Sequence, residues 1–272
     1  MKKYIALLGV VGAAEIGLAL YLTFWREHFW QAVSAHQYSE FINMLYWFTG
    51  AALLICFVSG MSGYLLTISA IKWREKLNNK ALALKLGDEV LNTPQRIQED
   101  CYSYPDLVLQ LGFGWAKAAV YIIAFSISLL ISFSWSYLII LVVYGAVATL
   151  ISGWVAKPLI KMNYATQQAE ASYRSELTPS NFDHCIKVLF GMARKQKHLS
   201  YTQAFLSQMG VVVPFIIIAP VYFTTAMPIG LLMRFNSTAS TVLDNLSYGM
   251  SSFGMLNKLL ACRKRLKEID VI

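Results

Sequence analysis

The stretch LVLQLGFGWAKAAVYIIAFSISLLISFSWSYLIILVVYGAVATLISGWVA, residues 107–156, decides the fold. It holds two apolar runs, 107–132 and 136–156, and Lys117 is the one formally charged residue in it. At about 1.5 Å per residue, either run makes a helix at least as long as the hydrocarbon core of a bilayer is thick. Phe133-Ser134-Trp135 leaves room only for a short turn between them. The stretch therefore predicts a tight helical hairpin that crosses a membrane twice.

Working outward, four more apolar runs lie near 4–25, 42–71, 202–226 and 240–261. Charged residues make up 14% of the chain against 57% hydrophobic, where a soluble domain carries about 25% charged residues and needs them to cover its surface. The sequence thus predicts an all-α integral membrane protein: one transmembrane domain over 1–272, with six spans. Met1-Lys2-Lys3 followed by an apolar run also suits a signal peptide, with Gly12-Ala13-Ala14 as a cleavage site. The run continues to Trp25, so a retained span is the better reading.

The net charge of +8 is not spread like that of a nucleic-acid binder. Lys and Arg fall in blocks between the apolar runs, at 2–3, 72–96, 157–197 and 258–267, which together hold 20 of the 23. If these blocks face the cytoplasm, only Arg26 and Arg234 lie outside and Lys117 lies within a span. The positive-inside rule then puts both termini in the cytoplasm, as in a multi-pass protein of a bacterial inner membrane. The two inner loops, near 72–106 and 157–201, are rich in helix formers and read as continuations of the membrane helices, each ended by a short turn. Asn92-Thr93-Pro94 marks the tip of the first. Cys56, Cys101, Cys185 and Cys262 stand apart with no metal-ligand spacing, so no metal site and free thiols are expected.

The tip of the first inner loop continues as Gln95-Arg96-Ile97-Gln98-Glu99-Asp100. It resembles the N-P-D-Q-R-I-x-E-D signature of subfamily D ABC transporters, and more closely the Q-R-I/V-Q-E-D form of the SbmA/BacA peptide-uptake family. Glu170-Ala171-Ser172-Tyr173-Arg174-Ser175-Glu176-Leu177 in the second loop is similar to that family's E-A-x-Y-R-x-E-L. Weaker matches are Glu15 to Leu20 with Phe29-Trp30, and Gly230-Leu231-Leu232-Met233 with Val242, Leu246-Ser247 and Arg265-Leu266. The chain departs from the family in its length, in lacking extra N-terminal spans, and in Arg234, where the family usually has a glutamine. The resemblance implies the exporter-type ABC transmembrane fold and a twelve-helix homodimer around a central cavity. Apart from any family, Arg96 with Glu99 and Asp100, and Glu170 with Arg174 and Glu176, place opposite charges three and four residues apart, where they pair on a helix. A solvated charged face is the plain reading. With both motifs matching together, a coupling surface or an intracellular gate is the functional one.

No G-x-x-x-x-G-K-[ST] run is present to hold nucleotide phosphates, and the last span is followed by only about a dozen residues. No ATPase activity and no cofactor are expected of this chain, which leaves a separate ATPase subunit or an ion gradient as the energy source. Glu15 is the first candidate for proton coupling. A carboxylate in the middle of a span costs a few kcal/mol, so it must face a cavity, find a partner or keep its proton. A neutral acid bonded to a neighbouring helix is the structural alternative. Glu99, Glu170 and Asp244 rank second. Lys117 either pairs with such an acid or snorkels to the interface, the latter slightly favoured. His28 and His36 are weaker candidates for sensing external pH. Trp25, Trp30, Trp47 and Trp135 suit an aromatic belt, and Asn236-Ser237-Thr238 is a formal glycosylation sequon that a bacterial protein would not use.

By resemblance, the expected function is proton-driven import of peptides or peptide-like compounds by a homodimer. The first alternative is the membrane subunit of an ABC transporter with a separate ATPase chain. The second is a non-transporting scaffold or degenerate half-transporter. Lipid is the expected surrounding, and nucleic acid is not an expected partner.

Overall fold

The computed structural model describes residues 2–83 and 93–268, and among these all regular structure is helical. α1 (Lys2–Ser34), α2 (Tyr38–Ala83), α3 (Thr93–Ser132), α4 (Trp135–Ser175) and α5 (Pro179–Thr224) are each long enough to cross a bilayer and continue beyond it. Each contains a segment apolar enough to do so. Their outer faces carry large apolar side chains with no protein cover, such as Leu53 (69% exposed), Ile131 (79%) and Phe223 (82%). Lipid is the solvent that makes such a surface stable, because burial against tails replaces burial in a core.

The helical inner loops stand as expected. α2 runs unbroken from the apolar segment to Ala83, and α4 and α5 reach a shared turn at Glu176–Thr178. Thr178 starts α5: its hydroxyl oxygen accepts from the Asn181 N–H at 3.3 Å, and Pro179 takes the first position, where its missing N–H costs nothing. Pro105, Pro158, Pro214 and Pro220 all lie inside helices, as membrane helices tolerate when neighbours resupply the lost bond. The Asn92 side of the first tip lies outside the described residues.

Two expectations are corrected. The sequence predicts the sixth span at 240–261, but helix resumes at α6 (Ile229–Leu246) and is then broken into α7 (Tyr248–Ser251) and α8 (Phe253–Glu268). α6 is the most enclosed element. Phe235, Ala239 and Val242 are fully buried and pack with Phe125, Leu129, Leu141 and Ile218 of α3, α4 and α5. A helix surrounded by protein needs no lipid-like surface, so its Ser, Thr and Asn residues hid it from a hydropathy reading. Their polar groups bond to their own helix: Ser237 and Thr238 hydroxyls donate to the Arg234 carbonyl, Thr241 to Ser237, and the Asn245 amide to Thr241.

The second correction concerns the hairpin at 107–156. The turn between α3 and α4 is as short as expected, but the two helices splay apart below it. α4 packs on α5, whereas α3 packs on α2, α6 and α8. A cavity opens in the space between α3 and α4.

Candidate solute cavity and charged clamps

The splay leaves a cavity of about 1840 Å³, walled by α3, α4, α5 and the broken α6–α7–α8 segment. α3 and α5 run one way and α4 and α6–α8 the other, so the depth of each wall residue follows from its place in sequence. Trp115, Tyr144, Asp244 and Tyr248 stand nearer the turn end, and Asp106, Lys157, Lys258 and Arg265 nearer the basic end. The Trp115 and Tyr248 rings meet edge to face with centroids 6.2 Å apart. The Tyr144 hydroxyl donates to the Leu206 carbonyl at 2.9 Å and fastens α4 to α5. Ser152 is buried in the same wall, and its hydroxyl has no hydrogen-bond partner among the described residues.

Among the described residues, three ion pairs join distant parts of the chain. Glu15 of α1 accepts from Lys117 of α3, with the carboxylate 8% exposed and the ammonium 33%. The sequence slightly favoured snorkelling for Lys117, and pairing is what occurs: low polarity around the span makes a partner worth more than a stretched reach to water. Glu15 thus meets its cost through a partner and does not face the cavity.

The second pair also links α1 to the late chain. The Arg234 guanidinium donates to Glu27 at 3.0 Å and lies 3.8 Å from the centre of the Phe24 ring. The sequence placed Arg234 outside the spans; it sits on α6, buried against α1. Beside it Gly230 is so close to α1 that a Cβ would collide with the Glu27 carbonyl oxygen. Only glycine permits that approach.

At the basic end, Arg265 of α8 grips Asp100 of α3 with two bonds, Nε to Oδ2 at 2.8 Å and a terminal nitrogen to Oδ1 at 2.6 Å. The forked geometry matches a guanidinium to a carboxylate and fixes orientation as well as distance. Asp100 is buried at 3% exposure, next to a cluster of Leu77, Ala81, Cys101 and Leu266. The carboxylate holds the Arg265 guanidinium well above its ordinary pKa through these bonds. Burial, and then the Asp100 charge, push the Cys262 thiol upward as well.

The remaining sequence candidates do not gather at one place. Asp244 lines the cavity and, among the described residues, has no ion-pair partner. Glu99 and Glu170 are exposed on the loop helices, each with an interaction of its own. Tyr173 packs its ring on Phe182 across the α4–α5 turn with centroids 5.3 Å apart, and Glu176 caps the end of α4. The side chains of Gln95, Arg96, Ile97 and Arg174 lie outside the described residues. Of the histidines, His28 bonds the Phe24 carbonyl within α1, and His36 takes a positive φ of 53° in the α1–α2 turn. Four thiols are free, and only Cys56 is exposed. Among the described residues no cluster of His, Cys, Asp and Glu suits a metal.

Sequence reasoning missed the role of Arg265, which it noted only as part of a weak match, and the aromatic wall of Trp115, Tyr144 and Tyr248. The sequence held no signal for Arg265, because Asp100 lies in a mostly polar run with Arg96 four residues before it as a nearer partner.

Residues 2–179 match a family model described as ABC transporter transmembrane region 2. An Escherichia coli protein named inner membrane ABC transporter ATP-binding protein YddA is 24% identical, over 98% of this chain and 57% of its own length. A Haemophilus influenzae protein named as an uncharacterized ABC transporter ATP-binding protein is 27% identical, over 51% of this chain and 28% of its length. The chloroplastic ABC transporter D family member 2 of Arabidopsis thaliana is 21% identical, over 94% of this chain and 41% of its length. The chain therefore spans about half the length, or less, of these curated relatives. The subfamily D side of the sequence resemblance has a relative of that name; the SbmA/BacA side does not appear among the three.

Proposed function

The chain belongs to the ABC transporter transmembrane region 2 family, and from that premise we propose that it forms the solute pathway of an ATP-driven transporter. Its two long helical loops then carry the surface on which an ATPase docks. The observation that carries this reading is the double position of Arg265, which grips Asp100 of the first loop motif and also lines the cavity. A displacement of the α2–α3 tip is passed by that grip to α8 and so to the cavity wall. Two of the relatives have ATP-binding in their names, which supports nucleotide as the energy source. Within the 272 residues there is no phosphate-binding loop, so hydrolysis falls to sequence outside them, in the same polypeptide or in a partner subunit. The distribution of Lys and Arg supports an inner-membrane orientation with the basic end in the cytoplasm. Two copies, giving twelve spans, would close the cavity that one copy leaves open on its side.

A second reading keeps the membrane domain but changes its fuel: proton-driven import of peptides, as in SbmA/BacA-like proteins. Asp244 favours it, because a cavity carboxylate with no ion-pair partner among the described residues is free to exchange a proton. Glu15, the first sequence candidate, favours it less, since Lys117 neutralises it.

Transport by membrane vesicles of both orientations, made from cells that overproduce the chain, separates the readings. With a labelled peptide as solute, ATP-dependent and vanadate-sensitive accumulation in one orientation, lost in Arg265→Ala, is the expected result. Accumulation under an acid-outside gradient without nucleotide, abolished by a protonophore, would replace it with the proton-driven reading. No accumulation under either condition would leave the non-transporting scaffold.

A further inference from the structure

The turn-end half of the cavity differs in kind from its basic-end half. Asp244 lies 15 residues after the start of α6 at Ile229, about 22 Å down that helix at 1.5 Å per residue. The same half of the cavity is lined by Trp115 and Tyr248, packed edge to face, and by Tyr144 on α4. Every other charged group of the wall lies toward the basic end. Asp106 there accepts two bonds from the Gln110 amide, at 2.9 and 3.0 Å, and Arg265 is held by Asp100. Lys258 is 14 residues beyond Asp244 along the broken helix, and Lys157 is 13 residues beyond Tyr144 along α4. Among the described residues, Asp244 is therefore the one negative charge in this half of the cavity, on a helix enclosed by protein, and it has no ion-pair partner.

An ionised acid at such depth must face water or a cation. Three electron-rich rings line the same half of the cavity and make it attractive to a positive group through their faces. Binding sites of this build are mostly apolar, with a few polar groups that fix orientation. We infer that the turn-end half of the cavity is a subsite for the cationic group of an aromatic or otherwise apolar solute, with Asp244 as its counter-charge and Trp115, Tyr144 and Tyr248 as its walls. The inference rests on the reading of the cavity as the solute pathway and narrows the class of solute. The lysines near the basic end complete the polarity: a cation is drawn past them to the acid, while an anion is held at the entrance.

Two ions of the same shape and opposite charge test this directly. Binding of tetraphenylphosphonium and tetraphenylborate to the full chain in nanodiscs is measured by equilibrium dialysis, with Asp244→Asn, Asp244→Glu and empty nanodiscs alongside. Saturable binding of the phosphonium is expected. It should weaken about tenfold or more in Asp244→Asn, equivalent to about 1.4 kcal/mol, and stay within about threefold in Asp244→Glu. The borate should not weaken in Asp244→Asn. Phosphonium binding that is unchanged in Asp244→Asn, or no better than to empty nanodiscs, would overturn the subsite. So would equal weakening of both ions, which would mark a general loss of the cavity. Neither nucleotide nor a gradient is present, so an absence of ATP-driven transport would overturn the proposed function and leave this result standing.

Discussion

The two ends of the bundle are held by opposite means. At the turn end, α6 is locked to α1 by contact, with Gly230 against the α1 backbone and Arg234 between Glu27 and the Phe24 ring, and α1 in turn packs Trp25 and Phe29 on Phe48 and Phe41 of α2. At the basic end, α3 and α8 meet over a small apolar cluster and one forked charge pair. Many small contacts give way gradually, whereas a single directional clamp is either made or broken. The difference teaches that the turn end rests on spread contact, while the basic end leans on one pair whose loss is all-or-none.

Substitutions that break this contrast should rank as follows. Glu15→Leu removes the partner of Lys117 inside the apolar layer and should cost about 3 kcal/mol, the usual penalty for an orphaned buried charge. The double change Glu15→Leu with Lys117→Met should recover most of it. Thermal unfolding in one fixed detergent measures both, and a double variant no better than the single would show that the pair is not the cause.

Asp100→Asn keeps the shape of the basic-end clamp but loses its charge, and should cost about 2 kcal/mol, as for a charge-assisted hydrogen bond. Cys262 reports the same event chemically. Burial and the nearby carboxylate raise its pKa, so less thiolate is present at a given pH and alkylation is slow. Removing the charge should speed maleimide labelling of Cys262 at fixed pH. In both proteins labelling should accelerate as pH rises, with the variant's curve displaced toward lower pH. Superimposed curves would remove Asp100 from any influence on that thiol.

Gly230→Ala tests the fixed end. The added methyl must push α6 away from α1, and overpacking of this kind costs about 1–2 kcal/mol. The loss should appear as a lower melting temperature, without faster Cys262 labelling. A change in both would mean that the ends are not mechanically separate. Trp25→Phe should have the smallest effect, about 1 kcal/mol, because the indole N–H loses its 2.8 Å bond to the Met44 carbonyl while the ring stack remains. Melting temperature reads this as well.

Particular residues show how far the sequence could be read. The apolar runs of α1 to α5 were plain, since lipid demands apolar side chains on every outward face and so leaves a continuous trace in the chain. The helical inner loops were plain too, from their helix formers and their few breakers. α6 was misplaced by 11 residues at its start because its surroundings are protein. There Ser237, Thr238 and Thr241 are as acceptable as leucine once each hydroxyl has bonded back to its own helix. Among the candidate site residues, Asp244 reached the cavity and Glu15 did not. Both are acids in apolar stretches, and sequence spacing holds no record of which one has a lysine opposite.

By itself, then, the sequence determined that the chain is helical, that it lies in a membrane, and how its basic residues are divided between the two ends. Those properties follow from the solvent, which acts on each residue in the same way wherever its neighbours are. Only the tertiary structure decided that Lys117 serves Glu15, that Arg265 holds Asp100, and that α3 and α4 part below their shared turn to open a cavity. These pairings join residues 102 and 165 positions apart. Their energy depends on distance and direction between side chains, which come into being only when the helices pack.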